Sequence, residues 1–169
     1  MNSLTQEPVR GRRDVERIPS APTRDWNSTV GWASLTVGVG TGLVMGLWSF
    51  DGPVGVPAWL GGYGETSRRL VRLGHIAFIG LGILDILLAR ELPRLALGAT
   101  GKRVASIAMI AGNIFLPLAL IAAGAYRPLK LLMPVPALCV FVALALAAYG
   151  ARGIVRSADD DENRVSHHP

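Results

Sequence analysis

The sequence contains one cysteine, Cys139, and three histidines among its 169 residues. A lone cysteine excludes an intrachain disulfide and a CxxC-type redox or metal site. The chain also lacks a His-Glu-x-x-His zinc motif, a P-loop and the spacing of a Ser–Lys or Ser–His catalytic pair. These absences leave hydrolytic catalysis without support, and they predict a non-enzymatic protein with no metal site.

Charged residues are scarce too, at 17% of the chain against 50% hydrophobic residues. They collect at both ends and in three short intervals, which leaves four apolar runs almost free of charge. Each run is about 20 residues long, the length that a helix needs to cross ~30 Å of hydrocarbon. A soluble helix of this length carries a polar stripe, and these runs carry none. The sequence therefore predicts an all-α membrane protein, a four-helix transmembrane bundle.

The spans are expected at about residues 30–50, 70–89, 104–125 and 131–150. A disordered basic tail, residues 1–29, precedes them, and a disordered acidic tail, residues 151–169, follows them. The two tails and the link between the second and third spans carry twelve of the 17 Lys and Arg residues. The positive-inside rule then places both termini in the cytoplasm, with the chain in a bacterial-type cytoplasmic (inner) membrane. Arginines that flank spans also account for the net charge of +5, so no nucleic-acid partner is expected.

Small residues recur at every fourth position in the first and fourth spans. Such a row lets another helix backbone approach closely, as in small-xxx-small packing. We expect the first and fourth helices to be neighbours, although the row on the first span is equally suited to a second copy of the chain. The expected partners are the lipid bilayer and either other membrane subunits or copies of this chain. The packing residues are Ser34, Gly38, Gly42 and Gly46 in the first span and Ala143 and Ala147 in the fourth.

The second span contains a histidine and an aspartate, His75 and Asp85. Ionisable residues inside a span often mark proton relays or ion pathways. Ten residues separate the two along ~15 Å of helix axis, and their side chains point roughly 80° apart, so they are not expected to touch. His75 is interpreted either as bonded to a neighbouring carbonyl or hydroxyl or as a ligand of haem or quinone. Asp85 is interpreted either as paired with Arg90 or Arg103 or as a proton- or cation-binding site.

The third span contains an asparagine four residues before a proline, Asn113 and Pro117. A proline inside a helix leaves the carbonyl four residues earlier without its usual donor, and that carbonyl belongs to Asn113. Polar groups at membrane depth require partners. The pair predicts a kink at Pro117 with Asn113 bonded to a neighbouring helix, or alternatively a small polar binding site.

Packing residues without catalytic groups favour a non-enzymatic role, as an accessory or assembly subunit of a membrane complex or as a homo-oligomer. The alternative is a small transporter or channel that uses His75, Asp85 and Asn113. A further alternative is a redox-linked subunit that binds haem or quinone through His75. No cofactor is expected under the first two hypotheses.

Overall fold

The computed structural model describes residues 26–49, 52–62 and 65–166 of the chain. Four long helices make up most of this part: α1 (Trp26–Gly46), α2 (Thr66–Glu91), α3 (Ala99–Ala125) and α4 (Pro134–Ser166). Short 3-10 helices at Ala58–Leu60 and Arg127–Leu132 lie in the first and third connections, and the described residues contain no strand. All four helices are long and apolar enough to cross a membrane, which indicates an integral membrane protein.

Three of the helices are longer than the predicted spans, whereas the first has the predicted length and lies four residues earlier in the sequence. α1 begins at Trp26, so the last residues assigned to the N-terminal tail belong to the helix, and residues 1–25 lie outside the described part. α4 begins at Pro134, where a missing N–H costs least, and it continues past the predicted end at residue 150 to Ser166. A segment predicted to be a disordered tail is therefore helical over residues 151–166.

The α2 and α3 helices form the centre of the molecule. α1 packs mainly against α2 and touches α3, whereas α4 packs against α3. The prediction that the first and fourth helices are neighbours is wrong, because the central pair lies between them. Ala143 of α4 is fully buried against this pair, in a core cluster with Leu81 and Met109, and Ala147 packs against the same cluster.

Small residues bring α1 close to α2. A methyl group added at Gly31 would lie 2.6 Å from Ile86 Cγ1 and 2.7 Å from the carbonyl oxygen of Gly82. One added at Gly38 would lie 2.7 Å from Ile79 Cγ1. Ser34 lies between these glycines and is buried. The row of small residues on α1 is thus used within the chain, where it allows the close backbone approach of small-xxx-small packing.

The two ends of that row differ. Gly42 faces His75, and a methyl group there would lie 2.6 Å from the ring carbon Cε1. At Gly46 an added methyl group would meet nothing within 4 Å. Gly46 therefore takes no part in the contact between α1 and α2, whereas Gly31, which the four-residue step did not include, does.

Candidate functional site

The only acidic residue in the interior of α2 is Asp85, and its side chain is fully buried, at 0% exposure. Its two carboxylate oxygens accept hydrogen bonds from amide side chains of two other helices. Asn27 Nδ2 of α1 lies 2.6 Å from Oδ1, and Asn113 Nδ2 of α3 lies 2.9 Å from Oδ2. Hydrogen bonds to an ionised acceptor are among the stronger ones in proteins, so Asp85 links the three helices.

A serine orients each of these amides from the opposite helix. Ser106 of α3 donates its hydroxyl hydrogen to Asn27 Oδ1. Ser34 of α1 lies 2.8 Å from Asn113 Oδ1 and also 3.0 Å from the carbonyl oxygen of Phe78 on α2. Because each amide oxygen faces a serine, each amide nitrogen faces the carboxylate. We call these five residues, Asp85, Asn27, Asn113, Ser34 and Ser106, the Asp85 cluster.

The cluster has a reciprocal arrangement that the sequence spacing explains. Asn27 and Ser34 are seven residues apart on α1, and Ser106 and Asn113 are seven residues apart on α3. Seven residues are two helical turns, or ~10.5 Å, so both members of each pair lie on one face. The asparagine of one helix meets the serine of the other at each of the two levels. Asp85 approaches from α2 and joins the two levels.

Four of the five cluster members are buried, Ser106 is partly exposed, and the hydrogen bonds of the cluster are satisfied. Asn113 is 0% exposed, Asn27 3% and Ser34 7%. Among the described residues, no buried side-chain nitrogen or oxygen atom lacks a hydrogen-bond partner. Satisfied polar networks in a medium of low dielectric constant are stronger than their counterparts in water, and losing one member leaves costly orphan groups. The cluster therefore fixes the relative positions of α1, α2 and α3.

One of the two interpretations of Asp85 paired it with Arg90 or Arg103. Both arginines are exposed, whereas the aspartate is fully buried. The partners of the carboxylate include two amides, and neither was predicted as its partner. Asn113 does bond neighbouring helices, as one of its two interpretations proposed.

Pro117 is buried within α3, which continues through it from Ala99 to Ala125. Its carbonyl oxygen lies at the contact with α2, where a methyl group added at Gly74 would lie 3.0 Å from it. The glycine on α2 thus makes room for the backbone around the proline. The kink at Pro117 stays a prediction.

His75 belongs to a separate polar contact between α2 and α1. Its Nδ1 lies 2.7 Å from the carbonyl oxygen of Gly38 and 3.2 Å from Thr41 Oγ1. A carbonyl only accepts, so Nδ1 carries the hydrogen and donates it to Gly38. This is the carbonyl contact that one of the two interpretations of His75 proposed, and the structure does not bring His75 into the Asp85 cluster. Haem or quinone binding at His75 stays a prediction.

Two members of the cluster, Asn27 and Ser106, were missed in the sequence. Asn27 had been assigned to the polar tail before the first span, and a single serine in an apolar helix is not distinctive. The signal was the matched spacing, Asn-x₆-Ser in α1 and Ser-x₆-Asn in α3. Polar residues two turns apart on two helices, in opposite order, can pair in register when the helices run in the same direction.

Within the described part of the chain, no group of three or more His, Cys, Asp or Glu side chains is placed to hold a metal ion. Comparisons of the chain with protein-family models, curated proteins and solved structures found no match. The function is accordingly argued from the Asp85 cluster itself.

Proposed function

We propose that this protein is a small ion-binding transporter of the membrane, with Asp85 as the site that takes up a proton or a small cation. The observation that carries the proposal is a fully buried carboxyl group inside a span, held by amides from two other helices. Placing an ionisable side chain within the bilayer costs free energy, so such residues are rare in spans. Those that occur commonly lie on ion or proton pathways. This function is the alternative in the sequence analysis, and two features of the structure favour it.

The first is that the small residues of α1 are used inside the chain. In the sequence, a row of small residues favours an accessory subunit or homo-oligomer, because such a row suits contact with another protein. Gly31, Ser34 and Gly38 instead pack on α2. The row therefore no longer requires an external partner.

The second is that the cluster is more polar than helix packing needs. Replacing buried ionic groups by well-packed apolar residues is often neutral or stabilising, so association of three helices alone does not call for an aspartate. In this protein the aspartate, Asp85, is joined by hydrogen bonds to a network of two asparagines and two serines. The arrangement suits a group whose charge changes, because the Ser34 hydroxyl on the Asn113 side has two acceptors within reach and can reorient.

Asp85 lies six residues, or about 1.7 turns, from the end of α2 at Glu91. By the distribution of Lys and Arg, we place that end and both termini on the cytoplasmic side of a bacterial-type inner membrane. An ion that reaches Asp85 then has a short path to the cytoplasm and a long one to the outside. Single-cysteine labelling tests the orientation in a Cys139→Ser background. We expect Thr100→Cys to react only with reagent on the cytoplasmic side and Val56→Cys only with reagent outside.

The transport proposal is tested with purified protein in liposomes that contain a pH-sensitive dye. Proton uptake driven by a potassium diffusion potential is expected for the wild type, and a sodium gradient is tested in the same vesicles. Asp85→Asn should abolish the flux. Glu91→Gln is the matched control, since it removes an exposed carboxylate from the same helix and should leave the flux unchanged. Equal flux in wild type and Asp85→Asn would remove Asp85 from the mechanism.

An accessory or oligomeric role is the second candidate, and the exposure of α4 favours it. This helix is the least buried of the four candidate spans, with large apolar side chains such as Val135, Leu138 and Phe141 facing outward. Native mass spectrometry after gentle extraction tests this role, because it reports copies, foreign subunits and retained cofactors together. Gly46→Leu is the variant for a homo-oligomer, since that position faces outward. Gly42→Leu is unsuitable, because it would strike His75 within the chain.

A further inference from the structure

The two amides of the Asp85 cluster differ in how firmly they are held. Ser106 contacts both ends of the Asn27 amide: its hydroxyl donates to Oδ1, and its backbone carbonyl lies 3.3 Å from Nδ2. A backbone carbonyl can only accept. Turning this amide over would place two acceptors against each other, so Asn27 Nδ2 is fixed toward Asp85 Oδ1.

The Asn113 amide has two satisfied orientations, because Ser34 has two acceptors within reach. Its hydroxyl oxygen lies 2.8 Å from Asn113 Oδ1 and 3.0 Å from the carbonyl oxygen of Phe78. A hydroxyl has one hydrogen and donates to one of these at a time. When Ser34 donates to Asn113, the amide nitrogen donates to Asp85 Oδ2, which is the pattern of an ionised carboxylate.

The second orientation starts with Ser34 donating to Phe78. The serine oxygen then accepts from the Asn113 amide nitrogen, and the turned amide presents its oxygen to Asp85 Oδ2. The Asn113 and Asp85 oxygens would then lie at hydrogen-bond distance, where a hydrogen must stand between them. A protonated Asp85 supplies that hydrogen. Every polar atom again has a partner, so neither state carries the cost of an unpaired buried group.

We propose that Asp85 is a reversible proton-binding site, that the proton resides on Oδ2, and that the Ser34–Asn113 pair reverses its hydrogen bonds when the proton arrives. The inference rests on the proposed function in taking Asp85 as the ion site, and it names the ion. A hard metal cation takes several oxygen ligands. The fixed Asn27 amide presents an N–H donor to this carboxylate, which repels a cation, whereas a proton needs a single acceptor atom.

Among the side chains that the structure describes, the titratable and charged groups of the surrounding helices are exposed, have contacts elsewhere or lie far along the helix from Asp85. α1 contains none. The Lys102 ammonium donates to the carbonyl of Pro93 at 2.7 Å. His75 contacts Gly38 and Thr41, and Arg90, Glu91 and Arg103 are exposed. Arg68, Arg69 and Arg72 lie at least 13 residues before Asp85 on α2, or ~20 Å along the helix axis. On α4, Tyr149 and Arg152 are exposed and Cys139 is partly buried.

The test is a pH titration by nuclear magnetic resonance of the full chain in lipid nanodiscs, with carbon-13 in the aspartate carboxyl groups and nitrogen-15 in the asparagine amides. The Asp85 carboxyl signal is expected to move between its ionised and protonated positions. The Asn113 amide signal should move with the same midpoint. Asn27 is the internal control in the same sample, and its shift should be several-fold smaller.

Asp85→Asn provides an independent check. Its amide nitrogen donates toward Asn113 and its oxygen accepts from Asn27, as a protonated aspartate does. The Asn113 signal of this variant should stay at the position that the wild type reaches at low pH, whatever the pH. A variant whose Asn113 signal matches the high-pH position would overturn the reversal.

The flux assay separates this inference from the proposed function. If Asp85 and Asn113 titrate together while liposomes show no proton flux, the proton site stands and transport is refuted. If flux depends on Asp85 while its carboxyl signal never changes, transport stands and the proton switch is refuted. A titrating Asp85 with an unmoved Asn113, or with Asn27 moving equally, also overturns the switch.

Discussion

Replacing Gly31 by alanine tests the contact between α1 and α2. The added methyl group would lie 2.6 Å from Ile86 Cγ1 and 2.7 Å from the carbonyl oxygen of Gly82. The isoleucine can turn, but the carbonyl belongs to the α2 backbone, so only separation of the two helices relieves the contact. Gly40 on the same helix supplies the control, because a methyl group there would meet nothing within 4 Å.

The two substitutions share their effect on helix propensity and differ in packing. Gly→Ala in a helix interior favours the helix by about 1 kcal/mol. Overpacking costs about 1–3 kcal/mol, and a backbone contact belongs at the upper end of that range. Subtracting the gain in helix propensity from the overpacking cost gives the net effect. Gly31→Ala should therefore lower the free energy of unfolding by about 2 kcal/mol. Gly40→Ala should leave it unchanged or raise it by up to about 1 kcal/mol.

Reversible unfolding in sodium dodecyl sulfate, followed by circular dichroism in mixed micelles, measures both variants against the wild type. In a Trp48→Phe, Trp59→Phe background, the only remaining tryptophans are Trp26 and Trp32, and their fluorescence follows α1 separately. If Gly31→Ala proves as stable as Gly40→Ala, then α1 does not approach α2 as closely as the structure has it. The shared hydrogen bonds of the Asp85 cluster would then be in doubt as well.

Three further predictions use the same unfolding assay. Asp85→Leu leaves two buried amides without their acceptor and should destabilise the protein by at least about 2 kcal/mol, whereas Asp85→Asn should cost clearly less; equal losses would contradict the hydrogen bonds described. Met109→Ala opens a cavity at a fully buried core position and should cost about 2–5 kcal/mol, which a value near zero would refute. A double-mutant cycle between Asn27→Ala and Ser106→Ala should give a coupling above about 0.5 kcal/mol, whereas Asn27→Ala with the exposed Thr36→Val should be additive.

The membrane-spanning fold could be predicted because span length and charge exclusion are properties of the sequence itself. Which helices are neighbours could not be predicted from small-residue spacing alone. Ala143 and Ala147 have the same four-residue step as the glycines of α1, yet they pack on the central helices. Small residues show that a close approach occurs, but they do not identify the helix that approaches.

The candidate site was predicted in part. Asp85 and Asn113 were recognised because each is rare in a span, and the helical phase correctly separated Asp85 from His75. The contact between Asp85 and Asn113 was not predicted, because it depends on the relative heights of α2 and α3. Asn27 was lost at a helix boundary: it lies in the first turn of α1, ahead of the apolar run that marked the predicted span. Helix boundaries are the least reliable part of such reasoning.

The division of the Asp85 cluster among three helices has a consequence for synthesis of the chain. α1 and α2 are made before α3, so Asp85 is in place with Asn27 while Asn113 and Ser106 have not yet been translated. During that interval the aspartate has lost water without gaining its second amide donor, and the α1–α2 pair is poorly suited to lipid. Release of these helices from the insertion machinery is therefore favoured only once α3 joins them. Chains truncated ahead of residue 113 should remain with that machinery or be degraded. Formation of the complete α1–α2–α3 unit would thus be the condition for release into the lipid.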